Sequence, residues 1–179
     1  MKKKILVIGS IAIDNTIFTK QLPSAGTTTI ADSYFHNIGG KGANQACAAM
    51  FLGADVSFIG AVGKDHNGDL VEDFLKEQGL HARLKRSDKP TGVAFIILEE
   101  ETAENRILIV QGANTDITIE DINKNLDLFR KGDILLTQFE NSMETVQHII
   151  KIAKEKGMTV VVNPAPIKKF NESYYQYID

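Results

Sequence analysis

Short apolar runs rich in Ile and Val recur along the chain at residues 4–9, 55–60, 133–137 and 159–162, and stretches with helical spacing separate them. No other feature of the sequence narrows the fold as far. Runs this apolar suit strands covered on both faces. The stretch 43–52, Ala-rich ANQACAAMFL, has strong helical propensity and closes on Gly53; 67–78 places Leu70, Val71, Phe74 and Leu75 at helical spacing and closes on Gly79. A further helix is predicted to begin near Thr118, with Asp121 three residues on. Another follows Asn141 and Glu144, which resemble a capping pair, and runs to Lys156 before Gly157. Parallel neighbours need a crossover, so the alternation predicts an α/β fold: a doubly wound, mostly parallel sheet with helices on both faces. At 179 residues with 43% hydrophobic and 24% charged side chains, one domain is expected.

Two regions break the rhythm. Residues 11–20 look extended up to Pro23, Thr27, Thr28, Thr29 and Ile30 propose a β segment, and 34–37 another. Strands at 92–98 and 106–110 flank the acidic stretch 99–105, which reads as a surface hairpin rather than a metal site. These insertions, at about 14–38 and 91–111, predict a small separate β-sheet beside the main body, placed as a lid.

A net charge of −3, with 20 Lys and Arg against 23 Asp and Glu, supplies no positive field for nucleic acid or an anionic membrane. A neutral or small anionic ligand is expected. The single Cys47 cannot form an internal disulfide, and His36, His66, His81 and His148 lack the close spacings of metal sites, so no metal is expected on these residues. Lys2, Lys3 and Lys4 before an apolar stretch imitate a secretory signal. That stretch is interrupted at Gly9 and Ser10 and runs into Asp14 and Asn15, which favours a buried first strand and a cytoplasmic location.

The sharpest local signal is Gly39-Gly40-Lys41-Gly42-Ala43-Asn44-Gln45 at a strand-to-helix entry. Glycines there let a ligand touch backbone, and the N–H groups of the helix start favour oxygen-rich or anionic groups. The phosphate-cradling P-loop would need Gly at Phe35 and Ser or Thr at Gly42; the dinucleotide pattern from Gly40 fails at Gln45. What remains is backbone with one ammonium and one carboxamide, suited to a polyhydroxylated ligand, or else a turn that merely permits close packing. Asp14, at the end of the first extended segment, is either a hydroxyl acceptor or a turn residue. Glu140, just past 133–137, is either its equivalent on another strand or a helix-entry acid. Cys47 reads as a small core residue, His36 as a surface strand residue, and Tyr174, Tyr175 and Tyr177 as packing.

Gly9-Ser10 with Asp14, the GGKGANQA string at 39–46, Thr91-Gly92-Val93-Ala94, Gly112-Ala113-Asn114, Gln138-Phe139-Glu140 and Asn163-Pro164-Ala165-Pro166 together resemble the ribokinase group of the PfkB-type carbohydrate kinases. The resemblance runs through the whole chain in order. It implies a ribokinase-like doubly wound domain whose small β-sheet lid closes over the sugar and makes a homodimer contact. It further implies that Ala12, Asp14, Gly40, Lys41, Gly42, Ala43, Asn44 and Glu140 line the sugar site, with Ala94 and Ile109 on lid strands beside it. ATP and Mg2+, with a possible monovalent cation, are the implied cofactors, and ribose and ATP the implied partners.

Two departures qualify the expectation. The family's usual asparagine two residues before the aspartate is here Ala12, which removes a hydroxyl contact. No Gly-Ala-Gly-Asp string, the family's catalytic-base motif, occurs in the sequence, so the chain resembles the N-terminal three fifths of such a kinase, its C-terminal part absent. Phosphoryl transfer needs a base and charge-stabilising donors, so the 179 residues are expected to be inactive alone. The alternatives are a related kinase for another sugar or a nucleoside, and a non-catalytic sugar-binding module.

Overall fold

The computed structural model describes residues 3–179; Met1 and Lys2, the start of the basic run, lie outside the described residues. Five parallel strands form the main sheet: β1 (Lys4–Ile8), β4 (Asp55–Gly63), β5 (His81–Ser87), β8 (Ile134–Gln138) and β9 (Thr159–Asn163). Their spatial order is β5-β4-β1-β8-β9. Alternation within β1 shows how the sheet is covered. Leu6 and Ile8 point to one core with Val146, Ile149 and Ile150 of α4 (Met143–Glu155), whereas Val7 points to the other, with Ala43 and Ala46 of α1 (Lys41–Phe51) and Val71 and Leu75 of α2 (His66–Glu77). A short helix, α3 (Ile119–Asn123), packs beside α4 and opens on a capping box between Thr118 and Asp121.

A second sheet of four strands contains β2 (Ala12–Thr19), β3 (Ser33–Gly39), β6 (Val93–Glu99) and β7 (Glu104–Val110), in the order β3-β2-β6-β7. Only β2 and β6 run parallel in it. Among the described residues no helix is long and apolar enough to cross a membrane.

Two expectations need correction, and one strand was not foreseen. Thr27 to Ile30 form no strand. They follow a turn at Gly26, pair with no strand although β3 and β7 are sheet edges, and leave Ile30 92% exposed, so nothing is buried by ordering them as a strand. The cap of α4 is Ser142, whose hydroxyl accepts from Thr145 N at 3.2 Å; Asn141 is buried one residue earlier and its Nδ2 donates to Asn114 O at 2.8 Å. Finally, β5 is a strand the periodicity did not reveal. Its sequence HARLKRS is an edge strand whose Ala82 and Leu84 pack on the core while Arg83, Lys85 and Arg86 pair with Asp127, Asp121 and Asp69.

The join between the two sheets is fixed by Asp65, the N-cap of α2. Its carboxylate accepts from Gly68 N at 2.8 Å, Thr91 N at 2.8 Å and Thr91 Oγ1 at 2.6 Å. Burial pushes this carboxyl up, but the bonds from Thr91 and Gly68, with the Arg86 guanidinium, outweigh it and hold it below the usual carboxylate range. A depressed folded value means stability that is present above the unfolded pKa of about 3.9 and is lost as pH falls through the folded value. Thr91→Val is expected to destabilise the protein by about 1–3 kcal/mol at neutral pH. The gap to wild type should narrow as pH drops through the depressed pKa of Asp65, measured as urea midpoints across an acid series. An unchanged gap would assign the loss to packing alone.

Candidate sugar-binding cleft

The order in which strands are added to the main sheet reverses between β1 and β8, which run parallel. The chain steps outward from β1 to β4 and β5, then returns to lay β8 and β9 on the other side of β1. In open α/β sheets ligands gather at the carboxyl ends of the strands flanking such a switch point. Here those ends deliver Ser10, just past β1, and Glu140, just past β8; Ser10 Oγ donates to Glu140 Oε2.

The third wall is the start of α1. Gly40, its N-cap, has φ 91°, a conformation closed to most side chains, and a Cβ there would lie 2.7 Å from Ile11 Cα. This approach presses the helix start against the β1–β2 crossover. Lys41 Nζ then reaches Glu140 Oε1 at 2.9 Å, Lys41 N donates to Glu140 Oε2 at 3.3 Å, and Gly42 N donates to Ser10 Oγ at 3.4 Å. At Gly39 a Cβ would lie 1.9 Å from Asp14 Oδ2, so the glycine leaves room for that carboxylate.

Asn114 holds the crossover itself. Its Oδ1 accepts from Ile11 N at 2.9 Å, and its Nδ2 donates to Ile11 O at 2.6 Å and Gln111 O at 3.0 Å. The side chain thus replaces the ladder bonds that Ile11 lacks between the two sheets.

Asp14 differs from every other acid described so far. It is half-buried, and among the described residues none donates a hydrogen bond to its carboxylate. Burial pushes its pKa up, Glu140 adds to the rise, and Lys41 opposes it. The Asn44 carboxamide, across the cleft, is also without a hydrogen bond from the described residues. Unpaired polar groups converging on one space are what a ligand-binding site requires.

The half-open cleft has a volume of about 160 Å³. That is roughly five times the volume a water molecule occupies in the liquid and below the ~300–1,000 Å³ of sites for drug-sized ligands. Asp14, Lys41, Asn44 and Glu140 form its polar side; Ala12, Ala94 and Ile109 contribute to an apolar side, and Gly40 lies at the base. Gly42 and Ala43 are buried behind this wall and do not line it. Sequence reasoning left out Ser10, Gln111, Asn114, Ile96 and Ile107, which also line the cavity. Ser10 and Asn114 stood inside recognised strings, but only the tertiary structure gives them partners: Glu140, brought beside Ser10 by the pairing of β1 with β8, and the Ile11 main chain for Asn114.

The other candidates lie elsewhere. His36 is exposed on β3 beside Tyr34, and Cys47 is half-buried on α1, its thiol pushed up by burial. Among the described residues no group of three or more His, Cys, Asp or Glu could hold a metal ion.

Comparison with known proteins agrees with this architecture. Ribokinase of Bacillus subtilis is 36% identical over 172 residues, covering 95% of this chain and 58% of that protein. Deoxyribokinase of Salmonella typhi is 36% identical over 173 residues, covering 95% of this chain and 56% of that protein. The structure of Arabidopsis thaliana ribokinase complexed with ribose and ATP superposes with a TM-score of 0.82 at 27% identity, covering 100% of this chain and 59% of that one. The chain therefore spans less than two thirds of the length of these relatives. The sequence profile of the pfkB family carbohydrate kinases matches residues 2–179, and the chain belongs to that family.

Proposed function

We propose that the cleft binds a pentose as a furanose ring, and that the chain provides the sugar-binding part of a ribokinase-type kinase that transfers the γ-phosphoryl group of ATP to the 5-hydroxyl of D-ribose. One observation carries the reading: the unpaired, half-buried Asp14 carboxylate faces the unpaired Asn44 carboxamide inside a cavity of about 160 Å³. Asp14 accepts from a ring hydroxyl, Asn44 both donates and accepts, and Lys41 donates while held by Glu140. Positioning of this kind contributes much of the barrier reduction in phosphoryl transfer.

The four-stranded sheet lies over the cleft through Ala94, Ile96, Ile107 and Ile109, and as a lid it would exclude water from the sugar. Its opposite face carries Phe95 and Leu108, with Leu108 70% exposed. An apolar face of this kind suits a homodimer formed through the lid. ATP and Mg2+ enter through kinship with ribokinases. No described residue is assigned to the ion. The sequence holds no Gly-Ala-Gly-Asp string to supply the catalytic base, so the 179 residues are expected to bind the sugar without turning it over.

Calorimetry on this chain is expected to give saturable D-ribose binding whether or not ATP is present, with no ribose 5-phosphate formed in a coupled assay. Absence of pentose binding would remove the sugar-site reading. Turnover at the rate of an intact ribokinase would remove the claim that the base lies outside these residues.

A further inference from the structure

Gln111 stands where β7 ends and the chain re-enters the main body, and it lines the cleft. The turn that follows is tightly held. The Gln111 carbonyl accepts from Asn114 N at 3.1 Å and from Asn114 Nδ2 at 3.0 Å, and Ala113 N donates to Pro90 O at 2.8 Å. Gly112 has φ 51°, and a Cβ there would lie 2.2 Å from Pro90 O, so the turn admits no side chain at that point.

The Gln111 carboxamide is held at its far end as well. Its Nε2 donates to the Glu140 carbonyl at 2.9 Å, which commits that end of the amide to the protein. Its Oε1 has no partner among the described residues. Gln138 Oε1 and Asn141 Oδ1 also lack partners, but both are sealed from solvent, and Gln111 Oε1 is not. An amide anchored through its backbone and its nitrogen has lost most of its rotamer freedom before a ligand arrives, so little further ordering is needed when its oxygen accepts a hydrogen bond.

The register adds a placement. Asp14, Ala94 and Ile109 stand in one row across β2, β6 and β7, and Gln111 follows two residues beyond Ile109. The Asp14 carboxylate and the Gln111 carboxamide therefore stand at two margins of the hydrocarbon patch formed by Ala94 and Ile109. Both offer acceptors, one charged and one neutral, and a polyhydroxylated ring laid on the patch carries donors on more than one side.

We propose that Gln111 is a sugar-binding residue whose Oε1 accepts from a ligand hydroxyl other than the one held by Asp14. The inference rests on the pentose-binding reading and adds to it a specificity contact supplied from the root of the lid.

The test is a cycle between side chain and hydroxyl. Calorimetry on the 179-residue chain and on Gln111→Met, which keeps the length of the side chain but loses its amide, compares D-ribose with its 1-, 2-, 3- and 5-deoxy analogues. Gln111→Met is expected to bind D-ribose about two- to tenfold more weakly, the yield of one neutral hydrogen bond. The analogue lacking the hydroxyl that Gln111 holds should lose affinity relative to D-ribose in the wild type, and lose about threefold less or better in Gln111→Met, where the partner is already gone. No loss in the variant, or the same loss for every sugar, overturns the inference and leaves the pentose site standing. Failure of the wild type to bind D-ribose overturns both. Where the variant does not fold, the wild type decides by NMR: the Gln111 side-chain amide nitrogen should shift with D-ribose and shift less with one analogue than with the others. A resonance that does not move, or that all the sugars move equally, overturns the inference.

Discussion

Asp14→Ala is expected to weaken D-ribose binding by roughly 30- to 5,000-fold, the range that truncating one partner of a buried charged hydrogen bond produces at about 2–5 kcal/mol. The size follows from the environment. The carboxylate is half-buried, is offered no hydrogen bond by the described residues and feels Glu140, so its ionised form is compensated only in part, by Lys41, until a ligand hydroxyl arrives. Because burial and Glu140 raise its pKa above the ordinary carboxylate value, the folded protein takes up a proton more readily than the unfolded chain. Stability contributed by this group therefore falls as pH rises from the unfolded pKa through the raised one, and at neutral pH the charge destabilises the fold. Asp14→Asn should consequently be no less stable than wild type at neutral pH while binding ribose weakly and without the wild-type loss of affinity in acid. Thermal melts and titrations across pH separate this outcome from simple misfolding: a variant that loses stability and affinity together would make Asp14 a structural residue.

Gly40→Ala is expected to destabilise the protein by about 2–6 kcal/mol, combining ~1–3 kcal/mol of backbone strain with ~1–3 kcal/mol of overpacking. The methyl would meet Ile11 Cα at 2.7 Å and Ala12 N at 2.9 Å, both main-chain atoms held in place by Asn114 and β2, so no side chain can swing aside. At roughly 2–4 °C per kcal/mol for a chain of this size, Tm should fall by about ten degrees. Gly132→Ala is the control. It shares a positive φ, 88°, but a Cβ there meets nothing within 4 Å, so only strain remains. Equal losses at the two positions would show that the approach of the helix start to the crossover carries no energy of its own.

Much of this could be read from the chain before any coordinates. The strands at β1, β4 and β8 are apolar because both faces are covered, whereas β9 is an apolar edge strand whose Val161 is 42% exposed; α1, α2 and α4 end beside Gly53, Gly79 and Gly157, each with positive φ. The failures have one cause. Thr27 to Ile30 have β propensity but pair with no strand, and β5 has a partner strand but a charged surface, so in both cases pairing with a strand distant in sequence decides the state. The cap of α4 shifted from Asn141 to Ser142 for a similar reason: Asn141 is drawn inward to the Asn114 carbonyl.

By itself the sequence determined the local states that depend on residue type and period: which runs must be buried strands, where helices stop, and that a glycine-lined helix entry follows an aspartate-bearing strand. Tertiary structure alone decided where β8 lies. Inserted on the far side of β1, it carries Glu140 across 130 residues of chain to the Ser10 hydroxyl and to Lys41. Strand order depends on which sheet edge a returning crossover can reach, a property of the whole assembly, and the polar side of the cleft exists only once that order is set.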